Sequence, residues 1–215
     1  MEGKAGKINL QDHTANSPDA VPGRILKKRR TNGMAPLIIT HYYVRGTDPW
    51  QNIMLLPEAE AFRTAAELAA AHEGMESFGR FADFVHYYPL RKAADEWVRK
   101  EFIRLGGRPR LEHPYSFVLG ESNYLKKWFS QGDSLQIPLD RVPEDQVSFT
   151  LGDSCAKLSR GDTLEVLTKQ MLLGKLRAFG DSVEKLIQSI APYGYVEVQL
   201  WFRPEQESQP ASSHE

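Results

Sequence analysis

The sequence predicts an α+β fold: one domain with a mixed or antiparallel sheet, an N-terminal helical block and disordered termini. Three patterns point there. A strand-like run at 37–44 precedes any helix, and helical periodicity then fills 57–105. Short apolar runs broken by turn residues crowd into 111–154, and a last strand-like run closes the domain at 195–202. Helices gathered into a block, without strict βα alternation, favour α+β over a doubly wound parallel sheet. A length of 215 residues suits a single ordinary domain, and no repeat of solenoid period is present. The apolar share of 41% and charged share of 26% are those of a soluble globular protein.

Residues 1–35 are rich in Gly, Asn, Ser, Asp and Pro and poor in large apolar groups, so a disordered tail is expected there. The cluster Arg24-Ile25-Leu26-Lys27-Lys28-Arg29-Arg30 within it reads either as a nucleic-acid or nuclear-import patch or as a solvated charge run. The domain is expected to span 36–203, and 204–215 forms a second polar tail.

Leu37–Val44 is β-branched and aromatic throughout, as in a strand covered on both faces. Pro57 and Glu58 open a helix whose alanines, Ala65, Ala66, Ala69 and Ala70, give strong propensity, and Gly74 ends it. A second segment, Phe78–Tyr88, puts Phe78, Phe81, Val85 and Tyr88 on one side. Pro89 is expected to interrupt it, and a third helix runs Leu90–Leu105 with Leu90, Ala94, Trp97, Val98, Phe102 and Leu105 as its apolar stripe.

Tyr115–Leu119, Leu135–Leu139 and Gln146–Leu151 read as strands bounded by Gly, Pro, Asp and Ser. Between the first two, Tyr124, Leu125, Trp128 and Phe129 fall at helical spacing. A strand running through Leu119-Gly120 into a short helix is a common ligand-binding edge, because a helix N-terminus offers unpaired N–H groups. Thr163–Leu167 is a further strand, Thr168 caps a helix through Phe179, and another helix follows Ser182 until Pro192. In the closing strand Tyr195, Glu197, Gln199 and Trp201 share one face, and Val196, Val198, Leu200 and Phe202 the other.

Several chemistries lack their signatures: no phosphate-cradling loop, dinucleotide fingerprint, His-Glu-x-x-His or nucleophile elbow is present. Cys155 is the single cysteine, which excludes an internal disulfide and a thiolate-rich zinc site. No metal is expected. A reducing, cytoplasmic setting follows, with no signal-peptide core, no bilayer-length apolar run and a formal net charge of −1. Cys155 reads as a reactive thiol if a helix N-terminus lowers its pKa, or as a small residue at a strand end. The tripeptide His-Tyr-Tyr occurs at His41–Tyr43 and His86–Tyr88 in unlike surroundings, as chance would give.

Two polar groups stand out inside apolar strands, His41 and Glu197. Each needs partners once buried. Tyr195, Glu197, Gln199 and Trp201 together describe either the floor of a small-molecule cleft or a sheet face half open to water. The order of His41 in IITHYY, Tyr115 in HPYSFVLG and Glu197 in YVEVQLW resembles the His-Tyr-Glu class of ADP-ribosyltransferase-like folds. The resemblance implies NAD as substrate. His41 would hold the nicotinamide-side ribose, Tyr115 would stack on nicotinamide, and Glu197 would orient the ribose 2′-hydroxyl and stabilise the oxocarbenium-like transition state. Gln199, beside Glu197 on the same face, joins the expected nucleotide-binding set. The sequence departs from the family in having Tyr42, where many members carry a small residue, and in the long stretch between His41 and Tyr115.

Two other functions remain open. Arg80, Arg91, Arg99, Arg108 and Arg110, interleaved with Tyr115 and Trp128, could grip nucleic-acid phosphates, although Glu96, Glu101, Glu112 and Glu121 among them describe a salt-bridged surface equally well. The other is a non-catalytic interaction module in which His41 and Glu197 only satisfy each other.

Overall fold

The structure, a computed structural model, describes residues 36–130, 132–190 and 194–204. The two expected tails, the basic cluster Arg24–Arg30 and the stop at Pro192 lie outside the described residues.

Among the described residues six strands form one sheet: β1 (Ile38–Tyr43), β2 (Tyr115–Leu119), β3 (Asp133–Pro138), β4 (Val147–Leu151), β5 (Val166–Thr168) and β6 (Val196–Leu200). Their spatial order is β3-β1-β2-β6-β4-β5, and every neighbouring pair is antiparallel. Strand β6, the last among the described residues, therefore lies inside the sheet, between β2 and β4, and all five of its residues are buried. Seven helices accompany the sheet among the described residues: α1 (Glu58–Ala71), α2 (Gly79–Ala82), α3 (Phe84–Arg104), α4 (Asn123–Trp128), α5 (Ser154–Ser159), α6 (Lys169–Ala178) and α7 (Val183–Ser189). The architecture is a single α+β domain, as the segregated helical block predicts.

Cross-strand partners share a face, so the register divides the sheet in two. Ile39, Phe117, Val198, Phe149 and Leu167 lie on one side, where Leu172 and Leu176 of α6 and Leu186 of α7 complete the main core. On the other side Trp201 and Val166 pack with Val98 and Phe102 of α3, and Tyr42, Val118 and Tyr195 with Leu125 of α4 and Phe129 just beyond it. Both faces are covered, which explains why β1 and β6 lack a water-facing row. A separate cluster of Ala61, Ala65, Phe78, Phe81 and Phe84 joins α1 and α2 to the start of α3. The Thr168 hydroxyl caps α6 as its position predicts, and the Ser182 hydroxyl caps α7.

Three expectations are corrected. Pro89 does not break the helix; α3 runs through it for 21 residues. The bond Pro89 forgoes would have ended on the carbonyl of Val85, whose side chain is exposed, so solvent can serve that acceptor. The helical phase differs too: Arg91, Ala94, Asp95, Val98 and Phe102 face inward while Leu90 and Val85 are exposed. Finally, the N-terminus of α4 is no open anion cradle. Ser122 Oγ accepts from Leu125 N, and the Ser122 N–H donates to the Tyr42 hydroxyl at 2.9 Å.

Candidate functional site

A cavity of about 660 Å3 opens beside β1 and β2, within the size range of small-molecule sites. It borders a fault in the sheet. β1 and β2 are matched only at Ile39↔Leu119 and Thr40↔Val118, whereas β1 and β3 are matched over six pairs. Beyond Thr40 the main-chain ladder to β2 stops. The His41 side chain then bridges the strands, its Nδ1–H donating to the Ser116 carbonyl at 2.7 Å. The cavity is lined from both faces of the sheet: His41, Tyr115 and Phe117 from one, Thr40, Tyr42 and Glu197 from the other.

His41 lies against Phe117 at 5.1 Å between ring centroids and stacks at 6.0 Å on Tyr43. Burial lowers its pKa, a shift the Ser116 carbonyl opposes. Tyr115 is buried edge-on against Trp50 at 5.0 Å, and burial raises its phenol pKa.

Glu197 belongs to a different polar system. One oxygen accepts from the Ser154 amide at 2.8 Å and from Thr150 Oγ1 at 3.3 Å; the other faces Arg91 Nη1 at 3.4 Å. Arg91 in turn holds Asp95 at 2.8 Å and donates to Ser116 Oγ at 3.1 Å. Asp95 also accepts from His113 Nδ1 at 2.8 Å. A polar chain therefore runs from β6 through α3 to the loop before β2. Burial raises the Glu197 pKa against the opposing pull of Arg91, and the two carboxylates raise that of Arg91 well above its ordinary value, outweighing its own desolvation.

His41, Tyr115 and Glu197 thus all line one cavity, but the register projects the first two from one face and Glu197 from the other. His41 and Glu197 do not bond each other, so the expectation that they only satisfy one another is corrected. Gln199 is not brought to the cavity. It donates to Thr150 Oγ1 at 3.0 Å and accepts from Ser148 Oγ at 2.9 Å, and Ser148 also accepts from Trp201 Nε1 at 2.8 Å. The expected floor of four side chains divides: Tyr195 and Glu197 line the cavity, while Gln199 and Trp201 are buried polar packing. Neither of the two readings of that face, a cleft floor or a water-facing row, holds along its whole length.

Of the basic residues proposed for phosphates, Arg91 is withdrawn from the surface into the ion network, and Arg99 donates to the Leu111 carbonyl. Arg108 and Arg110 are exposed. Arg80, in α2, reaches the cavity. Cys155 is half-buried in the first turn of α5, and burial pushes its thiol up to about 11, away from a reactive thiolate at neutral pH. Among the described residues no group of three His, Cys, Asp or Glu side chains is placed to hold a metal ion, and no helix is long and apolar enough to cross a membrane.

Sequence reasoning missed Asp95, His113 and the inward turn of Arg91. The one available signal was the i,i+4 spacing of Arg91 and Asp95, which ion pairs on solvent-exposed helices share. No protein-family model, curated protein or solved structure matches the chain.

Proposed function

We propose that the chain binds a nucleotide in the cavity at the β1–β2 gap and transfers ADP-ribose from NAD. The observation that carries this is the lining of one 660 Å3 cavity by His41, Tyr115 and Glu197, contributed by three different strands. A dinucleotide is elongated, which suits a cavity bounded from both faces of the sheet. His41 and Tyr115 would meet the ligand from one side of the gap and Glu197 from the other.

In the reaction, the bond between ribose C1′ and the nicotinamide nitrogen breaks. Its electron pair leaves on nitrogen and neutralises the pyridinium. The acceptor, water or a hydroxyl, forms the new bond to C1′ and releases a proton. A shielded carboxylate beside the developing positive charge is the group that lowers this barrier, and Glu197 is held in place by the Ser154 amide for that role. Since Arg91 lies at 3.4 Å, longer than a strong charge-assisted bond, the Glu197 oxygen facing it keeps capacity to accept from a ligand hydroxyl. The single cysteine suits a cytoplasmic setting for this chemistry.

The test is titration of the protein with NAD while nicotinamide release is followed in wild type and Glu197→Gln. Wild type should release nicotinamide, and the variant should lose about 100-fold or more, the scale of removing one transition-state contact. Absence of release in wild type, or equal release in both, sinks the proposal. If Glu197→Gln only lowers the melting temperature, Glu197 belongs to the ion network alone.

A further inference from the structure

We infer that Arg80 is an anion anchor in this cavity, so that the ligand bound there carries phosphate and is not a free nucleoside or base. The inference rests on the cavity reading of the preceding section and specifies its substrate class.

The contrast between two arginines motivates it. Arg91 is buried and offset by two carboxylates, Asp95 and Glu197. Arg80 also lines the cavity, and among the described residues it has no ion pair and no hydrogen bond; its Nε is enclosed without a partner. Its guanidinium carbon lies 4.8 Å from the ring centres of both Phe81 and Trp128, and 5.7 Å from that of Tyr87. Aromatic faces steady a guanidinium and fix its plane, but they leave its N–H donors unused. Guanidinium stays charged in proteins; the Asp153 carboxylate, which also lines the cavity, attracts it without forming an ion pair, so the shielded charge is only partly offset, and that is costly. A ligand phosphate would supply both the missing charge and the acceptors.

A second unused group agrees. Thr40 Oγ1, buried on the same face of the sheet as Glu197 and also lining the cavity, has no hydrogen-bond partner. A hydroxyl donor and a cation, both unsatisfied, bound the same space.

Calorimetric titrations with ADP-ribose, adenosine and inorganic pyrophosphate, on wild type, Arg80→Gln and Arg80→Lys, decide the matter. Wild type should bind ADP-ribose at least about 10-fold more tightly than adenosine. Arg80→Gln should erase that difference while leaving adenosine binding unchanged. Arg80→Lys should recover only part of it, since an ammonium lacks the planar fork. Near-ultraviolet circular dichroism of each variant confirms that the ring cluster is still formed. Equal affinity for ADP-ribose and adenosine in wild type, or an equal loss of both in Arg80→Gln, overturns the anchor. Phosphate-dependent binding without nicotinamide release leaves the anchor standing and removes the transferase. Nicotinamide release unaffected by Arg80→Gln does the opposite.

Discussion

Arg91 of α3 and Glu197 of β6 meet at 3.4 Å inside the domain, although 106 residues separate them in the chain. The pair ties the long helix to the sheet interior, and Asp95 and His113 extend it to the loop ahead of β2. Burial makes the network sensitive to the loss of a single member, because the remaining charge is left without its partner.

Replacing Arg91 with Ala is expected to cost about 3–5 kcal/mol of folding stability, the usual scale for breaking a buried ion pair. Adding Glu197→Gln should cost less than the sum of the two single changes, since the second substitution removes a charge the first has orphaned. Urea unfolding of the two single variants and the double variant measures both effects. Strict additivity would mean the two side chains are not coupled.

Ser148 holds Trp201 Nε1 and Gln199 in a wholly buried row. Ser148→Ala strands the indole N–H, at an expected cost of about 1–3 kcal/mol. A change in melting temperature with no change in nucleotide affinity would fit Gln199 and Trp201 as packing. An altered affinity would return Gln199 to the binding set.

Acid should weaken the fold through His41. Its folded pKa lies below the ordinary value of 6.5, so the unfolded chain binds more protons between the two values. The stability His41 contributes is therefore fully present above about 6.5 and is lost as pH falls through the window beneath it. Unfolding free energies at pH 7.5 and 5.5 should fall more steeply for wild type than for His41→Phe. Parallel profiles would show that His41 titrates alike in both states.

Most strand positions were legible because they depend on local chemistry; the expected strand Thr163–Leu167 is corrected to Val166–Thr168, two of its residues being shared. Tyr115–Leu119 is where β-branched and aromatic residues between turn formers place it, and β4 and β6 differ from expectation only at their ends. The phase of α3 was less legible. Leu90, Trp97 and Leu105 look like a stripe, but Leu90 is exposed, while Arg91 and Asp95 turn inward with Val98. Apolar periodicity cannot reveal a helix face whose polar members are matched by partners elsewhere in the chain. The site suffered from the same blindness. Glu197 was conspicuous as an acid among valines, whereas its cation lies on a distant helix. Alternation within β6 gave the shared face of Glu197 and Gln199 correctly, but which part of that face borders open space depends on the β1–β2 gap, which no single segment encodes.

The two-pair match between β1 and β2 divides the sheet mechanically. β3 and β1 are zipped together over six pairs, and β2, β6, β4 and β5 form a second continuous ladder; through the main chain, the two paired positions Ile39 and Thr40 and the Gly120 N–H donating to the Ile38 carbonyl at 2.7 Å fasten the one to the other among the described residues. Cooperative opening should begin at that seam, where few amides must be released at once. The outer ribbon can then part from the inner four strands with its own pairing intact, like one leaf of a hinged shutter.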